Sequence, residues 1–325
     1  MNRPHIRILA TGGTIAGSAG SALKRGYRPG QIGIAEMVAQ AQALGLEAEL
    51  DGHEVAAVGS QDIGWREWQA LHRHIADAYA DDGVDGVIVT HGTDTAEETA
   101  WLLDLTRPAG KPVVLVGAMR PADAVGSDGM RNFANAVRVA GDPDASGRGV
   151  LVVMGDAVFA ASDVRKSATA QIDAFRGFPR GPLGLVNPAS LDWFGPPARP
   201  GDPARFAWPE ALPRVEIVYA HADMDAAPVH AALAAGSRGL VLAGLGHGNA
   251  PASVIAALAE AGVPVVRSSR VDEGSVDRNV ELDDDGLGFV AARALNPQKA
   301  RILLQLLIAE GVDEIAAMQA AFDRR

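Results

Sequence analysis

Val84-Asp85-Gly86-Val87-Ile88-Val89-Thr90-His91-Gly92-Thr93-Asp94-Thr95 begins as an apolar run and passes directly into a turn of small and polar residues. Near the amino terminus, residues 6–10 (IRILA) and 11–17 (TGGTIAG) repeat this plan. Short runs rich in Val, Ile and Leu are typical of parallel strands that are buried on both faces. In an open α/β sheet, the loops that leave the carboxyl ends of such strands line the ligand crevice. Both turns therefore predict an α/β fold with a threonine-rich site.

The alternation of strand-like and helix-like runs continues along the chain. Residues 95–105 have the apolar spacing of a helix, and Thr95 and Glu98 have the spacing of a capping box, which would start that helix just after Asp94. Such alternation predicts α/β units. The other predicted strands are residues 112–117, 149–154, 215–220, 239–243 and 264–267, and the other predicted helices are residues 226–235, 252–261, 297–310 and 312–322.

Residues 195–213 interrupt this alternation, because they hold six prolines and little apolar periodicity. A chain of 325 residues also exceeds the length of one typical domain. We therefore predict two α/β domains. Residues 1–195 would form the larger one, with a mostly parallel sheet flanked by helices, residues 196–213 a proline-rich linker, and residues 214–325 a smaller, flavodoxin-like α/β domain.

The composition excludes several classes of function. A net charge of −11 argues against nucleic acid as a partner, because phosphate binding relies on clustered Lys and Arg. No apolar run approaches the roughly 18 residues of a membrane helix, so no membrane partner is expected. The chain has no cysteine, which excludes disulfides, thiolate metal sites and a cysteine nucleophile. No metal-binding histidine spacing is present either, and we expect no metal or other cofactor.

The first predicted strand begins within a few residues of Met1. A secretory signal would need a longer apolar stretch and a small-residue cleavage site before it. The chain as numbered is therefore expected in the cytoplasm, and in the periplasm if a signal has been removed.

Thr14 lies in the first turn, directly after Gly12 and Gly13. Glycines permit positive φ and a close approach of the backbone, which suits a nucleophile held near a substrate. A threonine hydroxyl is a poor nucleophile unless a base or a relay activates it. The alternative is a phosphate-binding turn, although the Gly-Lys-Ser/Thr ending of a P-loop is missing. Thr14 is therefore a candidate nucleophile.

The second turn brings His91, Thr93, Asp94 and Thr95 together. A carboxylate here would bind the α-ammonium group of an amino acid, and Thr93 would orient a water molecule or form a relay. The alternative role of Asp94 or Thr95 is a helix cap. A lysine would assist the relay, since a buried lysine with a lowered pKa serves as a base. Lys166 is the candidate, and from the residues alone a solvated surface lysine is the simpler interpretation.

Two further motifs have simpler interpretations than a ligand site. Residues 244–249 (GLGHGN) follow a predicted strand, but their glycine spacing does not fit a dinucleotide-binding fingerprint. Residues 283–286 (DDDG) lack the ligand spacing of an EF-hand calcium loop, and they are predicted to form a polar hairpin turn.

Several segments together resemble the bacterial-type L-asparaginase family, which includes glutaminase-asparaginases. They occur in the order of that family and span nearly the whole chain. Two of them, GSQD and the region around SSRV, are similar to the high-affinity type II branch, whose members are usually exported. The segments are residues 10–17 (ATGGTIAG), 59–62 (GSQD), 90–95 (THGTDT) with 97–99 (EET), 116–121 (VGAMRP), 148–154 (RGVLVVM), 266–271 (VRSSRV) and 295–301 (LNPQKAR).

The resemblance implies catalytic roles at matching positions. Thr14 would attack the side-chain amide and form an acyl-enzyme, which water then hydrolyses. Tyr27, at the position of a mobile lid, would assist Thr14. Thr93, Asp94 and Lys166 would form a second, triad-like relay near the same carbonyl group.

The resemblance also implies a shared substrate site. Asn249 and Glu281 would come from the second domain of a neighbouring subunit, in a homotetramer built as a dimer of dimers, and Glu281 would also take part in catalysis. The residues that would hold the substrate are Ser60, Gln61, Thr93, Asp94, Asn249 and Glu281.

The implied function is hydrolysis of L-asparagine to L-aspartate and ammonia, with L-glutamine as a secondary substrate. Two alternatives stay within the same fold: a glutaminase-asparaginase of broad specificity, and a non-catalytic homologue that binds amino acids. A third is the asparaginase-like subunit of a tRNA-dependent amidotransferase. It is disfavoured because the chain is acidic and starts at its first strand.

Overall fold

The structure of this protein is a computed structural model that describes residues 3–18, 20, 30–107, 110–197 and 205–324. It divides into two compact units, Met1–Arg205 and Phe206–Arg325. Each unit contains parallel strands with helices between them, so the prediction of a larger and a smaller α/β domain is confirmed. The division falls within the predicted linker, of which residues 198–204 lie outside the described residues.

Among the described residues, the first unit contains an eight-stranded sheet and a two-stranded sheet. Its helices are α1 (Ile34–Ala43), α2 (Trp65–Ala80), α3 (Ala96–Thr106) and α4 (Gly129–Ala140). Its strands are β1 (His5–Gly12), β2 (Glu49–Val58), β3 (Gly86–Thr90), β4 (Val113–Val116), β5 (Val150–Met154), β6 (Ala157–Ala160), β7 (Val164–Lys166), β8 (Phe175–Gly177), β9 (Gly184–Val186) and β10 (Leu191–Trp193).

The larger sheet has the strand order β10-β9-β6-β5-β4-β3-β1-β2. Strands β2, β1, β3, β4 and β5 are parallel, and β6, β9 and β10 extend the sheet with antiparallel pairs. The parallel part therefore has the order 2-1-3-4-5: the chain builds β2 on one side of β1 and then returns to build β3 on the other side. Ligands bind at such a reversal, outside the carboxyl ends of the strands.

Burial explains which of these strands can be predicted from the sequence. Every residue of β3, β4 and β5 is buried, which accounts for their nearly continuous Val, Ile and Leu content. Burying each such side chain contributes about 1.5–3 kcal/mol, so these strands form a rigid support for the turns that follow them. The edge strand β2 is only partly buried, and its sequence (ELDGHEVAAV) is continuously apolar only over its last four residues.

In the second unit, the described strands form one parallel sheet whose order follows the chain. This order contains no reversal, in contrast to the 2-1-3-4-5 order of the parallel strands in the first unit. The strands are β11 (Val215–Tyr219), β12 (Gly239–Gly244), β13 (Val265–Ser269) and β14 (Phe289–Ala291), and the helices are α5 (Ala227–Ala234), α6 (Ala252–Ala259), α7 (Asp284–Leu287), α8 (Pro297–Ala309) and α9 (Ile315–Asp323).

Each unit has its own hydrophobic core. In the first unit, apolar residues of β1, β3, β4 and β5 pack with α4, whose Phe133 is fully buried. In the second unit, residues of β11, β12 and β13 pack with α5 and α6. Across the part of the chain that the structure describes, no helix has both the length and the apolar character needed to cross a membrane.

Two local predictions are wrong. Helix α3 begins at Ala96, one residue later than predicted, and the Thr95 hydroxyl donates to the carbonyl of Ser60, 2.7 Å away, and does not cap the helix. The Thr95 side chain is bound to this tertiary partner, and the Glu98 amide donates to the Thr95 backbone carbonyl over 3.1 Å. The DDDG motif forms no hairpin: α7 starts at Asp284, because the side chain of Asp283 caps a helical turn by accepting from the amide of Gly286.

Candidate active site

The turns that follow β1 and β3 lie against each other. The two strands are adjacent and parallel, and Ala10, two residues before the end of β1, pairs with Thr90, the last residue of β3. The Thr11 hydroxyl donates to the Thr90 carbonyl over 2.8 Å. A Cβ atom added to Gly13 would lie 2.4 Å from the amide nitrogen of Gly92, so the two backbones touch. Glycine at position 13, where φ is 78°, is therefore required for the two threonine turns to meet.

Thr14 begins a short 3-10 turn, Thr14–Ala16, at the carboxyl end of β1. The residue is only 5% exposed. Backbone hydrogen bonds hold the chain on both sides of it: the Gly13 amide donates to the Val58 carbonyl over 3.0 Å, and the Gly17 amide donates to the Thr14 carbonyl over 2.9 Å. The hydroxyl of Thr14 thus stands on a fixed backbone, which is the preorganisation that a nucleophile requires.

A third turn, Ser60–Asp62, follows β2 and joins the other two. The Ser60 hydroxyl accepts from the amide of Asp94 over 3.2 Å and still carries a proton that it can donate. Ser60 is 3% exposed. Gln61 beside it is exposed, and its side-chain amide donates to Asp62 Oδ2 over 3.1 Å. The structure therefore brings Ser60 and Gln61 to the same end of the sheet as Asp94.

Lys166 reaches the second turn from the two-stranded sheet, where it ends β7 opposite β8. Its Nζ donates to Thr93 Oγ1 over 2.9 Å and to Asp94 Oδ1 over 2.5 Å. The Lys166 side chain is 18% exposed and that of Asp94 is 61% exposed. The interpretation of Lys166 as a solvated surface residue is therefore wrong. Because Asp94 is so exposed, the ion pair stabilises the fold by about 1 kcal/mol or less.

The polar groups gathered here are hydroxyls, one carboxylate and one ammonium group, which together can pass protons to and from an attacking oxygen. Tyr27, which is predicted to assist Thr14, lies outside the described residues. Among the residues that are described, no three His, Cys, Asp or Glu side chains are grouped so that they could hold a metal ion.

In the second unit, Asn249 and Glu281 lie side by side. Asn249 follows β12 in a turn that is closed by the amides of Gly248 and Asn249, which donate to the Leu245 carbonyl over 2.9 and 2.8 Å. The side-chain amide of Asn249 donates to Glu281 Oε2 over 3.2 Å. Asn249 is half-buried and Glu281 is exposed. A carboxamide and a carboxylate thus form a polar pair beyond the carboxyl end of β12.

His91 is fully buried beneath the second turn. Its Nδ1 lies 2.7 Å from the Gly92 carbonyl oxygen, and its Nε2 lies 2.9 Å from Thr99 Oγ1, which accepts from Trp68 Nε1 over 2.8 Å. These contacts fit one neutral tautomer, in which Nδ1 donates to Gly92 and Nε2 accepts from Thr99. His91 therefore fixes the carbonyl of Gly92, the residue against which Gly13 packs. The sequence gives no signal for this role, because only the tertiary fold joins Trp68 to His91.

Acidification is expected to destabilise the protein through His91. Burial lowers the pKa of its imidazole from 6.5 to about 4, and the hydrogen bond to Gly92 offsets part of this effect. Between pH 6.5 and about 4, the unfolded chain takes up a proton that the folded protein does not bind, so the free energy of unfolding falls as the pH falls. The full contribution, about 3 kcal/mol, is present above pH 6.5.

Urea unfolding at pH 7 and pH 4.5 tests this expectation. In His91→Gln, the loss of stability between the two pH values should be smaller than in the wild type by about 2–3 kcal/mol. His230→Gln, at an exposed position on α5, is the control and should behave as the wild type does. An unchanged pH dependence in His91→Gln would contradict the assignment.

Two family models match the chain. "Asparaginase, N-terminal" matches residues 5–199, and "Glutaminase/Asparaginase C-terminal domain" matches residues 214–322. The chain is 44% identical to L-asparaginase 2 of Escherichia coli (strain K12), over 95% of this chain and 90% of that one. It is 43% identical to "Probable L-asparaginase periplasmic" of Haemophilus influenzae, again over 95% and 90%. It is 39% identical to the glutaminase-asparaginase of Pseudomonas fluorescens biotype A, over 95% and 87%. Because the models and the relatives cover nearly the whole chain, this protein belongs to the asparaginase family.

Proposed function

We propose that this protein hydrolyses the side-chain amide of L-asparagine to give L-aspartate and ammonia, and that L-glutamine is a secondary substrate. The observation that carries the proposal is the arrangement around Lys166. Its ammonium group joins the Thr93 hydroxyl to the Asp94 carboxylate, in a turn that lies against the turn of Thr14. Family membership and the names of the relatives support the same reaction.

The reaction takes place in two steps. Thr14 Oγ bonds to the amide carbon, the carbon–nitrogen bond breaks, and the threonine proton leaves with the nitrogen as ammonia. A water molecule then attacks the resulting ester, its oxygen bonds to the same carbon, and a proton returns to Thr14 Oγ. One water molecule is consumed, and one carboxylic acid and one ammonia are formed. Splitting the hydrolysis in this way replaces one difficult step by two easier ones.

Lys166, Thr93 and Asp94 act as the proton relay for these steps. The Thr93 oxygen accepts from the Lys166 ammonium group, and a neighbouring positive charge favours the deprotonated form of a hydroxyl. Thr93 can thus give its own proton to the leaving nitrogen or orient the attacking water. Tyr27, from the lid position, assists Thr14; this role rests on the resemblance alone.

The α-groups of the amino acid bind at the turns after β2 and β3. The exposed carboxylate of Asp94 suits an α-ammonium group, and the hydroxyl of Ser60 with the amide of Gln61 suits an α-carboxylate. Asn249 and Glu281 complete the site from residues 214–325 of a neighbouring subunit, in a homotetramer that is a dimer of dimers. Light scattering should then give about four times the chain mass of 33.7 kDa.

For the compartment, we propose the cytoplasm, with the periplasm as the alternative. The name of the Haemophilus influenzae relative supports the alternative, the periplasm. Fractionation of cells that express the complete gene, with the protein detected by antibody, distinguishes the two.

Ammonia release from L-asparagine, L-glutamine and propionamide tests the function. Asparagine should be the best substrate, with kcat/KM about 10–200-fold above that for glutamine, because one extra methylene changes binding by about 1–3 kcal/mol. Propionamide, which lacks both α-groups, should be hydrolysed far more slowly. Equal rates on asparagine and glutamine would instead support a glutaminase-asparaginase of broad specificity. Heat of asparagine binding without ammonia release would identify a non-catalytic homologue and overturn the proposal.

A further inference from the structure

Two motifs that the proposed function leaves unused meet inside the second unit. Arg267 on β13 and Asp284 at the start of α7 form a bidentate ion pair, with Nε 2.8 Å from Oδ1 and Nη2 2.7 Å from Oδ2. Neither side chain exposes any surface. Removing both charges from water is costly, and such a pair often adds no stability over apolar residues of similar volume. A gain in stability alone therefore does not explain why this ion pair is buried here.

Arg267 also holds the two segments that carry Asn249 and Glu281. Its Nη1 donates over 2.6 Å to the carbonyl of His247, which lies shortly before Asn249 in the chain. Its Nη2 donates over 2.9 Å to the carbonyl of Asp277, which lies shortly before Glu281. One planar guanidinium group thus fixes both backbone segments relative to each other, through N–H groups whose directions are rigidly set.

Asp284 and Gly248 tighten the same arrangement. Asp284 Oδ2 also accepts from the amide of Asn279 over 2.8 Å, on the segment that leads to Glu281. Gly248 packs directly on Arg267: a Cβ atom added there would lie 3.0 Å from Arg267 Nη1, and its φ is 86°. Neither segment can shift without losing a hydrogen bond to a buried charge, which is costly to leave unpaired.

We infer that Arg267 and Asp284 are positioning residues, which set the geometry of the Asn249–Glu281 pair and through it the affinity for substrate. The inference rests on the proposed function, in which Asn249 and Glu281 bind the substrate. Arg267 and Asp284 themselves lie beneath the surface and act only through the two segments that they hold.

Arg267→Lys tests this role, because it keeps the buried positive charge but cannot reach the carboxylate and both carbonyl groups together. We expect KM for asparagine to rise at least about tenfold while kcat falls less than about threefold, the pattern of lost substrate binding. In a background where Asn249 and Glu281 are both alanine, the same substitution should change KM less than about twofold, because residues that act as one unit are not additive. Equal effects in both backgrounds would overturn the inference.

A second variant keeps the test decisive if Arg267→Lys folds poorly. Arg267→Met combined with Asp284→Leu removes both charges, keeps similar volumes and leaves no charge unpaired. It should raise KM to a similar extent while the thermal midpoint is retained. Arg214→Lys is the matched control, since Arg214 pairs with Glu216 at the surface of the same unit, and it should leave KM unchanged.

Hydrogen exchange in the substrate-free protein gives a readout that does not depend on activity. The amide of Asn279 donates to Asp284, and the amide of Ala250 donates to Asn249 Oδ1 over 2.8 Å. In Arg267→Lys both amides should exchange at least about tenfold faster, while Leu242 in the buried strand β12 keeps its rate. Unchanged exchange at Asn279 and Ala250 would overturn the inference. If the wild type releases no ammonia but both amides still exchange faster in Arg267→Lys, only the proposed function is overturned.

Discussion

Thr14→Ala is expected to lower kcat for asparagine by at least about 10³-fold, because the substitution removes the oxygen that forms the acyl-enzyme. The change in KM should stay below about threefold, since Thr14 bonds to the substrate only in the transition state and the intermediate. Ammonia release over a range of asparagine concentrations measures both quantities. Mass spectrometry of the quenched wild-type enzyme should show the acyl-enzyme, which the variant cannot form.

Two further threonine variants separate the loss of chemistry from a loss of fold. Thr14→Ser keeps a hydroxyl at the same place and should retain more than about a tenth of the wild-type kcat, as a preserved nucleophile allows. Thr106→Ala removes another buried threonine hydroxyl, which donates to the Leu102 carbonyl over 2.7 Å, and should change kcat less than about twofold. A Thr14→Ala protein with near-normal kcat would remove Thr14 from the mechanism.

Lys166→Met is expected to reduce kcat by about 10²–10⁴-fold, which is the usual contribution of a positioned proton-transfer group. The Thr93 hydroxyl would lose the ammonium group that lies 2.9 Å away, and Asp94 would lose its ion-pair partner. Lost stability cannot explain an effect of this size, because a pair with so exposed a carboxylate contributes about 1 kcal/mol or less. The measurement is kcat as a function of pH, together with the urea midpoint.

Lys111→Met is the matched control for Lys166→Met. Lys111 also uses its Nζ for internal hydrogen bonds in the first unit, to the carbonyls of Ala78 and Asp81, but it takes no part in the proposed site. Its substitution should lower stability and leave kcat within about twofold of the wild type. If both lysine variants lower kcat equally, Lys166 has no specific role in proton transfer.

The sequence predicted the buried part of the fold well because burial constrains composition. Strands β3, β4 and β5 are enclosed along their length, so nearly every position must be apolar, and their positions were visible as continuous runs. The edge strand β2 carries no such constraint. Strands β7 to β10 are three residues each, too short for any periodicity to appear. The strand orders of the eight-stranded and four-stranded sheets depend on tertiary contacts and are therefore harder to predict.

The candidate site shows the same contrast between residues that a local pattern predicts and residues that only tertiary contacts bring together. Thr14, Thr93 and Asp94 can be predicted from the sequence because they follow buried strands, where the ligand-binding loops of α/β sheets lie. The residues alone make Lys166 a candidate but favour a solvated surface lysine, since its contact with Thr93 crosses 73 residues of chain; the family resemblance implies its role. The predicted Thr95 capping box does not form because the hydroxyl binds the distant Ser60 carbonyl, and the Glu98 amide donates to the Thr95 backbone carbonyl instead of the side chain.

The pairing of Arg267 with Asp284 does not follow from the two motifs that contain them, residues 266–271 and 283–286. One signal in the sequence could have exposed it. Arg267 stands inside the strand Val265–Ser269, directly after two valines and between predicted buried elements. A charged side chain at such a position must have a partner, because an unpaired charge is rarely buried. The nearby acidic motif offered that partner, but which of its three aspartates turns inward depends on the cap of α7.

The strand reversal at β1 also determines when the site forms during folding. His5 and Asp85, at the start of the β1–β3 pairing, are 80 residues apart in the chain. Pairing at such separation is slow compared with the formation of helices, because a long loop must be closed before the contacts form. Thr14 meets the turn of Thr93 only through this pairing. Activity regained during refolding therefore requires the completed parallel sheet as well as the assembled subunits, and it should appear later than the helical signal.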